Sequence, residues 1–462
     1  MQFAVNKISI LKFIFNFFHG CKNFRDRFSH LRRGIKGEAL ALLFFSFTVV
    51  SAFPNTCNAQ DSAYAKKIID TLTSSYFFGR GYVNDGDTKA AAYIADRFYQ
   101  YGITANRGGY FQSFMMDVNT FPENMIVKLD DKILTTGKDY IVSAESKGKK
   151  GKFKLVKFES IATQNADGSW QYAIADSKTI LVIDDSTKVG GGLKSLLKTV
   201  EEKSCFGAAG FIELNSNKLT MDMSMEVKTW MHLIILKSAF NANAQTVTLD
   251  IQNKLVKVQS QNVVGYIQGT RKPDSMIVLT AHYDHLGGLG NETYFPGAND
   301  NASGISMLLS LARYYSNINH RPEYTMVFIA FGGEEVGLIG SQFFVKYPTI
   351  SLNKIRFLIN MDIMGTGEEG IKVVNATEYK SDFDRLVKLN DEFHLLKSVQ
   401  PRGKAANSDH YPFSEKGVQC FFIYTLGGIS AYHDVYDRAE TLLLTKFNDL
   451  EKLLKLFIDS CQ

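Results

Sequence analysis

Apolar residues recur at three- and four-residue spacing in AYAKKIIDTL (63–72) and DTKAAAYIADRFYQYGI (87–103). That rhythm predicts two amphipathic helices, the second opened by Asp87. From about 120 to 255 the texture changes. Short β-type runs (NMIVKL, KFKLVKF, KTILVID, AAGFIEL, WMHLIIL) alternate with turns rich in Lys, Gly and Asn, such as SKGKKGK. From about 256 long apolar strands alternate with helices. NVVGYIQG, SMIVLTAHYD, YTMVFIAFGGEE, KIRFLINMD and CFFIYTLG read as strands, ASGISMLLSLARYYSNI and SQFFVKY as helices. Near-continuous apolar strands need cover on both sides. The pattern predicts an α/β fold with a mostly parallel twisted sheet, helices on both faces, and a smaller β-rich inserted module. The expected division is 1–60, 61–119, 120–255 for the insert, and 256–462 for the main domain.

Polar residues fall repeatedly where these apolar runs end. Five segments carry them: AHYDH (281–285), GANDNASG (297–304), FGGEEVG (331–337), INMDIMG (359–365) and AYHDVYD (431–437). Open α/β sheets place their sites at the C-terminal ends of strands, so the coincidence marks a site. The candidate ligands are His282, Asp300, Glu335, Asp362 and His433, with Glu334 beside them. Carboxylates and imidazoles without a thiolate suit zinc in an open catalytic site.

Each segment has its own logic. Asp284, two residues beyond His282, is placed to reach the second ring nitrogen of that histidine after a turn. His285 reads as a solvated surface histidine. Asp300 is either a helix cap or a bridging carboxylate, and Asn301 or Ser303 can cap in its place. Of Glu334 and Glu335, one can bind metal while the other takes a proton from activated water. Asp362 interrupts an apolar run and so requires a partner. Tyr432, next to His433, is suited to stabilising an oxyanion. Asp409 and His410 in SDHYPF are expected to line the substrate pocket, His410 being the main rival for a ligand position.

Charge changes the picture at one end only. Residues 1–38 carry eight Lys/Arg against Asp26 and Glu38, and residues 39–60 carry no charge. With a total of +5, the remainder is therefore close to neutral at −1, which gives no electrostatic case for nucleic acid. The basic arm followed by ALALLFFSFTVVSAF (39–53) and the polar PNTCNAQ reads as an export signal cleaved near Ala59–Gln60–Asp61. The apolar run is short for a membrane span, and no stable span is expected after cleavage. Pro-Asn-Thr before Cys57 is a poor context for lipid attachment. Cys205, Cys420 and Cys461 would then remain, too sparse for a disulfide framework and best read as buried free thiols.

Taken in order, HYDHLG, GANDNASG, GGEEVGLIGS, NMDIMG, SDHYPF and YHDVYD resemble the M28 family of zinc metallopeptidases. The likeness is strong over 256–462 and looser over 61–115 through FFGRGYVNDGDTKAAAYIADRF. It implies two zinc ions, one held by His282 and Asp362 and the other by Glu335 and His433, with Asp300 bridging. It further implies Glu334 as general base for a metal-bridging water, Asp284 as the partner of His282, and Tyr432 as stabiliser of the intermediate. The implied activity is exopeptidase action on peptides, as an aminopeptidase. A carboxypeptidase of the same family, a single-zinc glutaminyl cyclase-like enzyme and a non-catalytic binding protein are the alternatives. The 120–255 stretch is similar to the protease-associated insertions of some members, which would cover or gate the cleft.

Overall fold

The computed structural model describes residues 56–461. The basic and apolar segments expected to direct export lie outside them.

The strand Lys272–His282 accounts for its own apolar run, which begins at Met276. Alternate side chains of a strand point to opposite faces. Ile277, Leu279 and Ala281 join one core, and Met276 and Val278 join another. On the first face they meet Ile68, Ile94, Leu308, Leu386 and Leu453. These come from the helices Thr56–Leu72, Gly86–Gln100, Gly304–Ser316, Lys380–Phe393 and Phe447–Ser460. On the second face Phe344 and Phe413, from the short helices Ile339–Lys346 and His410–Ser414, complete the cover. Each fully buried leucine or isoleucine of this kind stabilises the fold by roughly 1.5–3 kcal/mol.

Four strands form the middle of this nine-stranded sheet: Tyr324–Phe331, Lys272–His282, Ile355–Met361 and Cys420–Leu426. All three pairings among them are parallel. The margins differ. Lys254–Ile267 runs antiparallel to Tyr324–Phe331 and to Phe111–Thr120. Gly370–Val374 runs antiparallel to Cys420–Leu426 and parallel to the short Val399–Pro401. The central parallel strands are thus the ones that lead into acid and histidine segments.

A second, eight-stranded sheet is built from residues between Met125 and Ile251. It is mixed: Lys149–Lys157, Thr179–Asp184, Gly210–Asn215 and Met231–Leu236 are parallel, and its outer strands antiparallel. The helix Leu193–Glu202 packs on it through Leu196 and Val200. Between Asn215 and Met231 the chain runs without helix or strand. Cys205, Cys420 and Cys461 are buried free thiols. No helix among the described residues is long and apolar enough to cross a membrane.

Candidate metal centre

The parallel strands bring their polar ends together. His282 closes Lys272–His282, and Asp362 follows the adjacent Ile355–Met361. Their side chains meet, with His282 Nε2 3.3 Å from Asp362 Oδ1. Asp300 lies in the irregular turn Ala298–Ser303, where the Asp300–Asn301 peptide is cis. Its Oδ1 is 3.4 Å from His282 Nε2 and its Oδ2 is 3.1 Å from His433 Nε2. One carboxylate therefore spans both histidines. Glu335 Oε2 is also 3.1 Å from His433 Nε2.

The turn around Asp300 is held by its neighbours. Asp437 accepts the amide protons of Asn299 and Asp300 at 2.8 and 3.0 Å. Asn301 Oδ1 accepts from Gly304 N at 2.9 Å, so it caps the helix and leaves Asp300 to face the histidines. The same oxygen accepts from Ile363 N, and Asn301 Nδ2 donates to Met361 O, tying this turn to the loop that carries Asp362.

Two expectations are corrected. His285 is not a surface residue: it is fully buried, and its Nδ1 is 2.7 Å from Glu335 Oε1. The chain turns inward after the strand, so His285 meets one oxygen of the glutamate while the other faces His433. Asp284 does not offer its carboxylate to His282. The ring Nδ1 lies 3.2 Å from the Asp284 carbonyl oxygen and 3.8 Å from Oδ1. The Asp284 carboxylate instead accepts the amides of Glu334 and Glu335 at 3.1 and 3.3 Å, and the Tyr82 hydroxyl at 3.0 Å.

The remaining candidates separate. Glu334 is half-buried among carboxylates; desolvation first, then Asp409, Glu335 and Asp362, hold its carboxyl well above the usual range. Tyr432 is 44% exposed and stacks on the His433 ring at 4.0 Å. Asp409 is fully buried, and burial pushes its carboxyl up to about 7. His410 is also fully buried, but its ring packs on Phe422 at 5.1 Å, and burial lowers it to about 4. Both side chains are closed off from solvent, and neither His410 nor His433 belongs to a candidate ligand group among the described residues, whereas His285 does.

Arg80 carries no role in the sequence reading, yet it is fully buried behind the site. Its guanidinium donates to the carbonyls of Tyr283, Pro296 and Gly297 at 2.7–2.8 Å, and more distantly to Leu72 and Asp300. It thereby joins the His282 loop to the Asp300 turn. Burial lowers it to about 10. Gly79, at φ 67°, lets this segment approach: a Cβ there would meet the Gly287 and Phe295 carbonyl oxygens at 2.4 and 2.5 Å. The signal was the charge itself, one arginine within the apolar and glycine-rich FFGRGY.

The donor set fits divalent metal. Asp284, Asp300, Asp362 and Asp409 are buried, the Glu335 side chain is 4% exposed, and Glu334 is half-buried beside them. Among the described residues Arg80 is the one buried Lys or Arg, and the neighbouring carboxylates also raise the proton affinity of His282 and His433 against the effect of burial. Concentrating so many carboxylates out of water is costly without further positive charge. His282, Asp300 and Asp362 offer ligand atoms within 4.8 Å of one another, as do His282, Glu334 and Glu335, and His285, Asp300 and Glu335.

Residues 262–458 match Peptidase family M28. Aminopeptidase YwaD of Bacillus subtilis is 33% identical over 168 residues, covering 34% of this chain and 34% of that protein. A probable zinc metalloprotease of Pyricularia oryzae is 40% identical over 120 residues, covering 25% of this chain and 23% of that protein. The chain thus matches about a third or less of these curated relatives' length. Among solved structures, the zinc aminopeptidase BSAP from Bacillus subtilis superposes with a TM-score of 0.63 at 19% identity, over 86% of this chain and 94% of that one. That likeness concerns the fold.

Proposed function

We propose that this chain, a member of peptidase family M28 through residues 262–458, is a zinc-dependent exopeptidase that removes amino-terminal residues from peptides. The observation that carries the proposal is the Asp300 carboxylate, one oxygen toward His282 and the other toward His433. In this reading His282 and Asp362 would hold one zinc, Glu335 and His433 would hold the second, and Asp300 would be shared. Bound there, zinc supplies acidified water and polarisation of the scissile carbonyl. Glu334 takes the proton of the attacking water and passes it to the departing amine. Asp284 sets the Glu334–Glu335 backbone, and His285 orients Glu335. Asp409 stands behind the ligands as a buried carboxyl neighbouring His282 and Glu334. Tyr432 is the exposed group beside His433 that can reach an oxyanion.

The choice of the amino terminus rests on the similarity to Aminopeptidase YwaD. The second sheet is read as a protease-associated-like cover inserted at 120–255 that favours small peptides. Export directed by residues 1–60, with cleavage near Ala59–Gln60–Asp61, belongs to the same proposal.

The test compares free-amine, N-acetylated and C-amidated dipeptides with and without chelator. Cleavage of the free-amine and C-amidated forms, abolished by chelator and restored by zinc, is expected. Cleavage of the acetylated but not the amidated form would overturn the amino-terminal assignment. One zinc per chain together with cyclisation of amino-terminal glutamine would replace the peptidase reading altogether.

A further inference from the structure

The segment between Asn215 and Met231 leaves the second sheet and runs against the loop that carries His433. Met221 and His433 exchange two hydrogen bonds. Met221 N donates to the His433 carbonyl at 2.9 Å, and His433 Nδ1 lies 2.9 Å from the Met221 carbonyl. Asp222 Oδ1 stands 3.5 Å from the same ring nitrogen. The Lys218 ammonium reaches three acceptors on this loop: the carbonyls of Ser430 and Tyr432 at 3.2 and 2.9 Å, and Asp434 Oδ2 at 3.2 Å. The strap is itself anchored. Leu219 and Met221 are buried in the core of the second sheet, and Ser224 O accepts from Asn119 N at 2.9 Å.

His433 needs such support. It sits on a loop after Cys420–Leu426 with a left-handed backbone, φ 53°, which few L-residues adopt without tertiary restraint. A ring whose Nδ1–H is held by a carbonyl presents its Nε2 lone pair outward, here toward Asp300 and Glu335. His282 obtains the equivalent bond from Asp284, within its own loop.

We infer that the Lys218–Ser224 strap of the second sheet is a positioning device for His433, so that one of the two metal positions is completed by the inserted sheet and the other is not. Where the inference concerns metal, it rests on the two-zinc reading above. Lys218 is a positioning residue that acts through the 430–434 backbone and Asp434.

The test uses the full chain as wild type, Lys218→Met and Lys218→Arg. Zinc content is followed across a chelator series, and hydrogen exchange is read on the metal-free proteins over 430–436 and 281–286. Lys218→Met should release one ion at about 10-fold lower chelator concentration and retain the other like wild type. Exchange should quicken over 430–436 and stay unchanged over 281–286, and Lys218→Arg should restore both readouts. Unchanged exchange over 430–436, or parallel loss of both ions, would overturn the inference. A wild-type chain holding fewer than two ions would overturn the two-zinc reading, and the exchange comparison alone would then decide the role of the strap.

Discussion

The two histidine poles of the centre are made differently. His282 ends one strand and Asp362 follows its parallel neighbour in the same sheet, and Thr280 Oγ1 donates to Asn360 Oδ1 at 2.7 Å just behind them. The ring of His282 finds its second partner two residues away. His433 lies on a loop in a left-handed conformation, and its second partner, Met221, is 212 positions distant in sequence. The first pole follows from sheet register. The second depends on the docking of another sheet, and this predicts different sensitivities for residues of equal importance to the chemistry.

Replacing the shared residue should erase the contrast. Asp300→Ala is expected to release both ions and reduce peptide turnover by at least about 10³-fold, since polarisation and water activation are lost together; zinc analysis beside kinetics checks it. Glu334→Gln should leave both poles intact while lowering turnover by about 10²–10⁴-fold. Unchanged hydrolysis in that variant would remove Glu334 from the mechanism.

Arg80→Met should weaken both poles through stability. It strips the cation from the buried carboxylates and leaves the Tyr283, Pro296 and Gly297 carbonyls without their donor. A loss of about 3–5 kcal/mol is expected in denaturant unfolding. A smaller effect belongs to Asp87, which lies outside both poles and whose carboxyl burial pushes up to about 6 from 3.8. Because the folded value is the higher one, its contribution is fully present below pH 3.8 and is lost as pH rises through 6. Asp87→Asn should therefore leave stability near pH 4 little changed and raise it at pH 8 by about 2–3 kcal/mol, as read from unfolding curves at both values.

What the sequence made legible follows the same division. Ligands that interrupt apolar strands, such as His282 and Asp362, stand out because a buried polar residue needs a reason. Asp300 became interpretable through its place between them, with Asn301 free to cap. The antiparallel margin formed by Lys254–Ile267 was hidden, because its buried half, 262–267, has the same apolar composition in either direction. His285 was misread because its partner, Glu335, lies 50 residues away and only the turn after the strand brings them together. Lys218 and Met221 were illegible for a stronger reason: their contribution comes from a backbone carbonyl and from an amine directed at two backbone oxygens and one distant carboxylate. Such contacts leave no motif.

The most direct test of the two-pole account is a crystal structure of the zinc-loaded protein with diffraction recorded at the zinc absorption edge. Two anomalous peaks about 3.5–4 Å apart are predicted, with one Asp300 oxygen on each and His282 and His433 on opposite ions. A single peak, or two peaks that do not share Asp300, would contradict it.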